Sequence, residues 1–171
     1  MSAVSQSDID GVERFLRAYL ELADAFFSVS FPMPSYDLKL RGGGAGKAFC
    51  HRWHLQFNGQ LLVRNRARFV REVTGHELAH LIAYRQYGTR IKPHGQEWRH
   101  VMGIFNLTPS TRHDFDVTGL RASRSPYIYT CACQGQHALG GTRHKRIQQM
   151  RASYHCLKCG QKLSYSHDLR A

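Results

Sequence analysis

In the stretch EVTGHELAHLIAYRQYG, residues 72–88, two histidines stand four residues apart, with a glutamate directly after the first: His76, Glu77 and His80. Imidazole is the commonest side-chain ligand for zinc-like cations. Residues at i and i+4 of a helix lie one above the other on one face, so His76 and His80 can offer two rings to one ion. Glu77 falls ~100° further round the helix, near the ion without ligating it. That is the arrangement of H-E-x-x-H zinc peptidases, in which the metal activates a water and the glutamate takes its proton. The neighbours Val73, Leu78, Ala79, Leu81 and Ile82 argue for a helix held in a core. A solvated face carrying histidines by chance would lack them.

A catalytic zinc takes three protein ligands and keeps one position open. A third histidine six residues after His80, preceded by a glycine, is not there, because those positions hold Gln86 and Ala83. Glu97 and His94, both in KPHGQEW, are the candidates. The helix climbs ~10 Å from His80 to Tyr87, and six residues after Gly88 can return up to ~20 Å, so reach separates neither. Pro93 and Gly95 make a sharp turn just before a helix start, which favours His94 as a ring aimed from a rigid place. His113, in TRHDFDV, is read as structural rather than catalytic.

The last third of the chain holds a second constellation, Cys131-Ala-Cys133 and Cys156-Leu-Lys-Cys159-Gly160. Four thiolates in a C-x-C…C-x-x-C array read as a structural zinc ribbon. The first pair is one residue shorter than usual, so His137 or His144 is an alternative to one of its cysteines. The four-cysteine set is preferred. Cys50, alone in a strand-like segment, reads as a small buried hydrophobe.

The elements that must position these groups follow from periodicity. Residues 7–28 place Val12, Phe15, Leu16, Tyr19, Leu20, Ala23, Phe26 and Phe27 on one helical face, with Ser7 or Asp8 as N-cap. Residues 36–63 alternate as two or three short antiparallel strands, turned first by the glycine run 42–46 and then by Asn58-Gly59. Such a hairpin offers an edge for an extended peptide. A helix over 66–87 carries the histidine pair, capped by Asn65 and ended by Gly88, and another begins near Gln96.

Composition bounds the class. With 42% hydrophobic and 21% charged residues, the chain describes a soluble globular protein. No apolar run approaches the ~18 residues of a membrane span, and MSAVSQSDID lacks the features of a secretory signal. A cytoplasmic protein with reduced thiols, free to bind metal, is therefore expected. Net charge is +12, and residues 121–162 concentrate it: Arg121, Arg124, Arg143, Lys145, Arg146, Arg151, Lys158 and Lys162, with no Asp or Glu. Basic residues interleaved with Tyr127, Tyr129 and Tyr154 suit phosphates and unpaired bases. A solvated basic face and an acidic protein partner are the other readings.

HELAHLIAYRQYG…KPHGQEW, followed by PYIYTCACQGQH…RHKR…YHCLKCGQKL, resembles the bacterial SprT family over nearly the whole chain. More distantly it is similar to the eukaryotic Spartan proteases, which digest proteins crosslinked to DNA. The resemblance implies that His76, His80 and His94 bind a catalytic zinc, that Glu77 is the general base, and that Glu97 is a helix residue. It implies an α+β, zincin-like metallopeptidase core over residues 1–120, with helices on a small antiparallel sheet. Residues 121–171 would form a basic zinc-ribbon module held by Cys131, Cys133, Cys156 and Cys159. Two zinc ions, one catalytic and one structural, protein substrates, and DNA as partner complete the expectation. The competing class is a non-enzymatic, zinc-dependent nucleic-acid-binding protein.

Overall fold

A computed structural model describes residues 3–120, 127–133 and 135–166. Arg121 and Arg124 of the sequence reading lie outside the described residues. The chain is α+β and forms two compact units, Met1–Arg121 and Ala122–Ala171.

The first unit opens with α1 (Gln6–Phe27). Its cap is Ser5, earlier than either expected residue: the Ser5 side chain accepts from the Asp8 N–H, and the Asp8 carboxylate accepts from the Ser5 N–H. Asp8 is thus the third helical residue of a capping box, which satisfies two backbone donors at once. Val12, Leu16, Tyr19, Leu20 and Ala23 are buried as the periodicity requires, whereas Phe26 is largely exposed.

Three short strands follow, β1 (Ser35–Asp37), β2 (Gly46–Phe49) and β3 (His54–Phe57), in spatial order β1-β3-β2. The β2–β3 pair is antiparallel, but β1 runs parallel to β3, so the sheet is mixed where an antiparallel one was expected. The reason lies in the turns. The glycine-rich segment is a crossover that carries the chain past β3 to the opposite edge. The hairpin itself is closed by a 3-10 turn at Cys50–Arg52, with Trp53 left-handed at φ 50°. Asn58-Gly59 does not turn a hairpin either. The Asn58 side chain accepts from the Gln60 and Leu61 N–H groups and caps α2 (Gly59–Arg64), while its amide donates to the Gly42 and Gly44 carbonyls. One buried amide therefore fixes both a helix start and the glycine crossover.

The expected helix over 66–87 exists with an irregularity: α3 (Arg66–Arg68), a π-helical segment Phe69–Val73, then α4 (Thr74–Tyr87) ending at Gly88. The Asn65 side chain donates back to the Leu61 carbonyl and does not cap α3. Gly75, Leu78, Ala79, Leu81, Ile82 and Ala83 are all buried, so α4 is enclosed on most of its circumference. Gly75 is required at that position, because a Cβ there would collide with Leu107 and crowd the Tyr19 ring. The chain then turns back through a Lys92–Gly95 hydrogen bond into α5 (Gln96–Ile104). Cys50 is half-buried against the core, its Sγ 3.6 Å from the His80 carbonyl oxygen.

The second unit is a small sheet in order β5-β4-β6, built from β4 (Tyr127–Thr130), β5 (Gln136–Leu139) and β6 (Ser164–Tyr165), with α6 (Gly141–Gln148) between the last two. Among its described residues the buried cluster is Tyr129, Leu139, Cys156 and Leu163.

Candidate metal centres

His76 and His80 come from consecutive turns of α4, and His94 arrives from the turn just before α5. The Nε2 atoms of His80 and His94 lie 3.3 and 3.2 Å from Nε2 of His76, and the three ligand atoms all fall within 4.8 Å of one another. A tetrahedral ion with Zn–N bonds of ~2.0–2.1 Å requires an N···N edge of about 3.3 Å. Glu97 does not join this group. Its carboxylate folds back over Gly95, where an added Cβ would meet Oε2 at 2.9 Å.

The rings are prepared as neutral donors. Burial, with the neighbouring His94, pushes His76 down to about 4, although a hydrogen bond with the Ser110 backbone pulls the other way. Burial and the two partner rings push His80 down to about 3, and burial also lowers His94. With Nε2 of His76 turned towards the other imidazoles, the Ser110 bond fixes the tautomer whose lone pair faces them.

Trp98 is the residue that sequence reasoning left without a role. It is fully buried, its indole N–H donates to the His76 carbonyl at 3.2 Å, and its ring lies 4.8, 5.5 and 4.7 Å from those of His76, His80 and His94. It packs against all three imidazoles at once. The available signal was a large aromatic on the first turn of α5, four residues after His94.

Glu77 is 7% exposed and projects towards β2. Burial drives its carboxyl up to about 8 against the pull of the Ala48 backbone N–H. A cation beside it acts in the opposite direction. Gly46 makes room for it, since a Cβ there would stand 2.5 Å from Glu77 Cγ and 2.7 Å from Oε1. A cleft of about 510 Å3 opens beside His76 and Glu77, walled in part by Gly46, Val73, Leu107 and Phe115. His113 borders it with both ring nitrogens engaged: Nε2 donates to the Gly43 carbonyl, and Nδ1 accepts from the Phe115 N–H. It ties the glycine crossover to the segment beyond α5, a structural task.

In the second unit Cys131, Cys133, Cys156 and Cys159 bring their sulfurs within 4.8 Å of one another. Cys133 and Cys156 are 3.8 Å apart, the edge of a tetrahedron with Zn–S bonds of ~2.3 Å, while Cys131 and Cys133 are closer at 3.1 Å. Backbone N–H groups of Cys159 and Lys158 aim at Cys156 and hold its thiol below the usual range, which favours the thiolate. His137 stands at the margin, Nε2 3.4 Å from Cys131 Sγ. His144 is elsewhere: it stacks on Tyr127 at 3.6 Å with planes 5° apart and hydrogen-bonds Tyr129. Both clusters are compatible with zinc.

The profile of the SprT-like family matches residues 16–118, a span that contains all three histidines and Glu77. The chain belongs to the SprT-like family. Its relatives named Protein SprT include that of Pasteurella multocida, 44% identical over 86% of this chain and 88% of the relative. That of Serratia proteamaculans is 40% identical over 90% and 89%, and that of Pseudomonas putida 42% over 86% and 90%. No solved structure matches the chain. Among the described residues of this SprT-like protein, no helix is long and apolar enough to cross a membrane.

Proposed function

We propose that this protein is a zinc-dependent endopeptidase with a zincin-like core, acting in the cytoplasm on proteins associated with DNA. The observation that carries the reading is the convergence of three neutral imidazoles at tetrahedral spacing beside a buried carboxyl that has no ligating part of its own. When bound by His76, His80 and His94, zinc supplies Lewis acidity to a carbonyl and makes water acidic enough to deprotonate near neutrality. Glu77 accepts the water proton and returns one to the leaving amine. Gly46 keeps the space that this carboxylate needs, Ser110 and Trp98 orient the rings, and the cleft excludes part of the solvent. β2 pairs only with β3 among the described strands, so its other edge, where Ala48 meets Glu77, has no strand beside it and suits an extended peptide.

The second unit supports recruitment. Arg143, Lys145 and Arg146 lie exposed on α6, beside the Tyr127–His144 stack and the Arg143–Tyr154 cation–π contact at 5.7 Å. Cations that follow phosphates, together with ring faces, suit single-stranded DNA.

Glu77→Gln tests the enzyme. We expect casein hydrolysis to fall by at least about a thousandfold while two zinc ions per chain and DNA affinity are retained. Equal residual proteolysis in wild type and variant leaves a non-enzymatic zinc protein that binds nucleic acid. DNA affinity should fall steeply with salt; equal cleavage of a DNA-binding test protein with and without DNA at low salt argues against recruitment.

A further inference from the structure

We infer that the cleft beside Glu77 selects peptides carrying an acidic side chain next to the scissile bond, through Arg71 and Arg112. The inference rests on the peptidase reading and adds a substrate class to it.

Three arginines border the cleft, Arg68, Arg71 and Arg112. Arg68 is committed: it bonds Glu72 at 3.0 Å and Asp114 at 2.9 Å and lies over the Phe115 ring at 5.2 Å. The same bonds occupy Glu72, the acid that shares the cleft with Glu77. Arg71 and Arg112 are exposed, and neither has an acidic partner among the described residues.

Their placement is tied to the histidine site. Arg71 lies in the π-helical segment that leads directly into α4, and its carbonyl is fixed by the Tyr19 hydroxyl at 2.9 Å. Arg112 lies two residues beyond Ser110, whose backbone holds the His76 ring, and its own carbonyl accepts from the Ser110 hydroxyl at 2.7 Å. Both main chains are therefore anchored to elements of the centre, while the charged ends are left for a ligand. Guanidinium prefers planar carboxylates, which it binds through two parallel N–H donors. A glutamine or asparagine of the same shape forfeits the charge, and a lysine is repelled.

The test uses full-length, zinc-loaded protein and peptide trios that differ at one position flanking the cleavage site: Glu, Gln or Lys. At low salt the Glu peptide should exceed its Gln counterpart by about tenfold in kcat/KM, an advantage that shrinks as added salt screens exposed charges. Arg71→Glu and Arg112→Glu should each remove the preference, and the double variant should favour Lys. Arg71→Lys with Arg112→Lys, which keeps the charge, should retain part of it. Equal selectivity in wild type and charge-reversed proteins overturns the inference. So does weakened binding of a single-stranded oligonucleotide in the Glu variants with peptide selectivity unchanged, because the cations then serve phosphate.

Peptide binding to the Glu77→Gln protein, read by fluorescence anisotropy, separates the two readings. If wild type cleaves nothing yet the acidic peptide binds best and loses that advantage on charge reversal, the peptidase reading fails and the acidic subsite stands. If binding also ignores the peptide's charge, the subsite fails as well.

Discussion

Gly46 and Glu77 form a pair that no local pattern announces. The carboxylate occupies the volume where a side chain on β2 would begin, so Gly46→Ala must displace Glu77 from the cleft. We expect at least a hundredfold loss of peptide hydrolysis, because positional errors of about 1 Å at a reacting group cost that much. Zinc content should be unchanged; an active Gly46→Ala protein would refute this role. His94→Ala is expected to lower bound zinc from two to one per chain by elemental analysis, with the ribbon ion kept. His76, Glu77 and His80 are legible in the sequence because one helical turn relates them. His94 is legible only as one of two candidates, since the path back from Gly88 is a matter of tertiary structure. Ser110 and Gly46 act across elements, and nothing in their immediate neighbours announces it.

The start of α1 is held by a compact arrangement: Asp8, with a side chain 2% exposed, accepts from Ser5 and from Arg66 at 2.7 Å. Burial alone would raise the Asp8 carboxyl, but the Ser5 backbone and hydroxyl and the Arg66 guanidinium outweigh it and hold it below 3.8. A folded-state value below the unfolded one means that this contribution is fully present above pH 3.8 and is lost as pH falls through the folded value. The stability gap between wild type and Asp8→Asn, from urea melts, should therefore be constant near neutrality and narrow below about pH 4. A gap that widens on acidification contradicts the arrangement. Ser5→Ala removes the cap and should cost about 1 kcal/mol. The helices were legible because their apolar spacing is local. The sheet was legible only as strands: its order and the parallel β1–β3 pair depend on where the glycine crossover goes, and that is fixed by Asn58 bonding to Gly42 and Gly44.

Two units of very different size share the chain, and they differ in what holds them. The first has a broad apolar core through α1, α4, α5 and the sheet, whereas among the described residues of the second the buried core is Tyr129, Leu139, Cys156 and Leu163. So small a cluster is little to set against the chain entropy of some fifty residues, and on the reading proposed above zinc at the four cysteines supplies the difference. Cys156→Ser with Cys159→Ser is expected to abolish protection of 127–166 amides in hydrogen exchange while α4 stays protected; uniform protection would show that the cysteines are dispensable. The charge imbalance of this region was legible from composition alone, but the Tyr127–His144 stack was not, because it joins a strand to a helix. The chain also carries just two indoles, and one of them leans on all three imidazoles. That gives the molecule a built-in optical gauge. In a Trp53→Phe background, the ultraviolet emission of Trp98 should change as the histidine site fills. Loading of the histidine centre can then be followed in one cuvette, without dye or label.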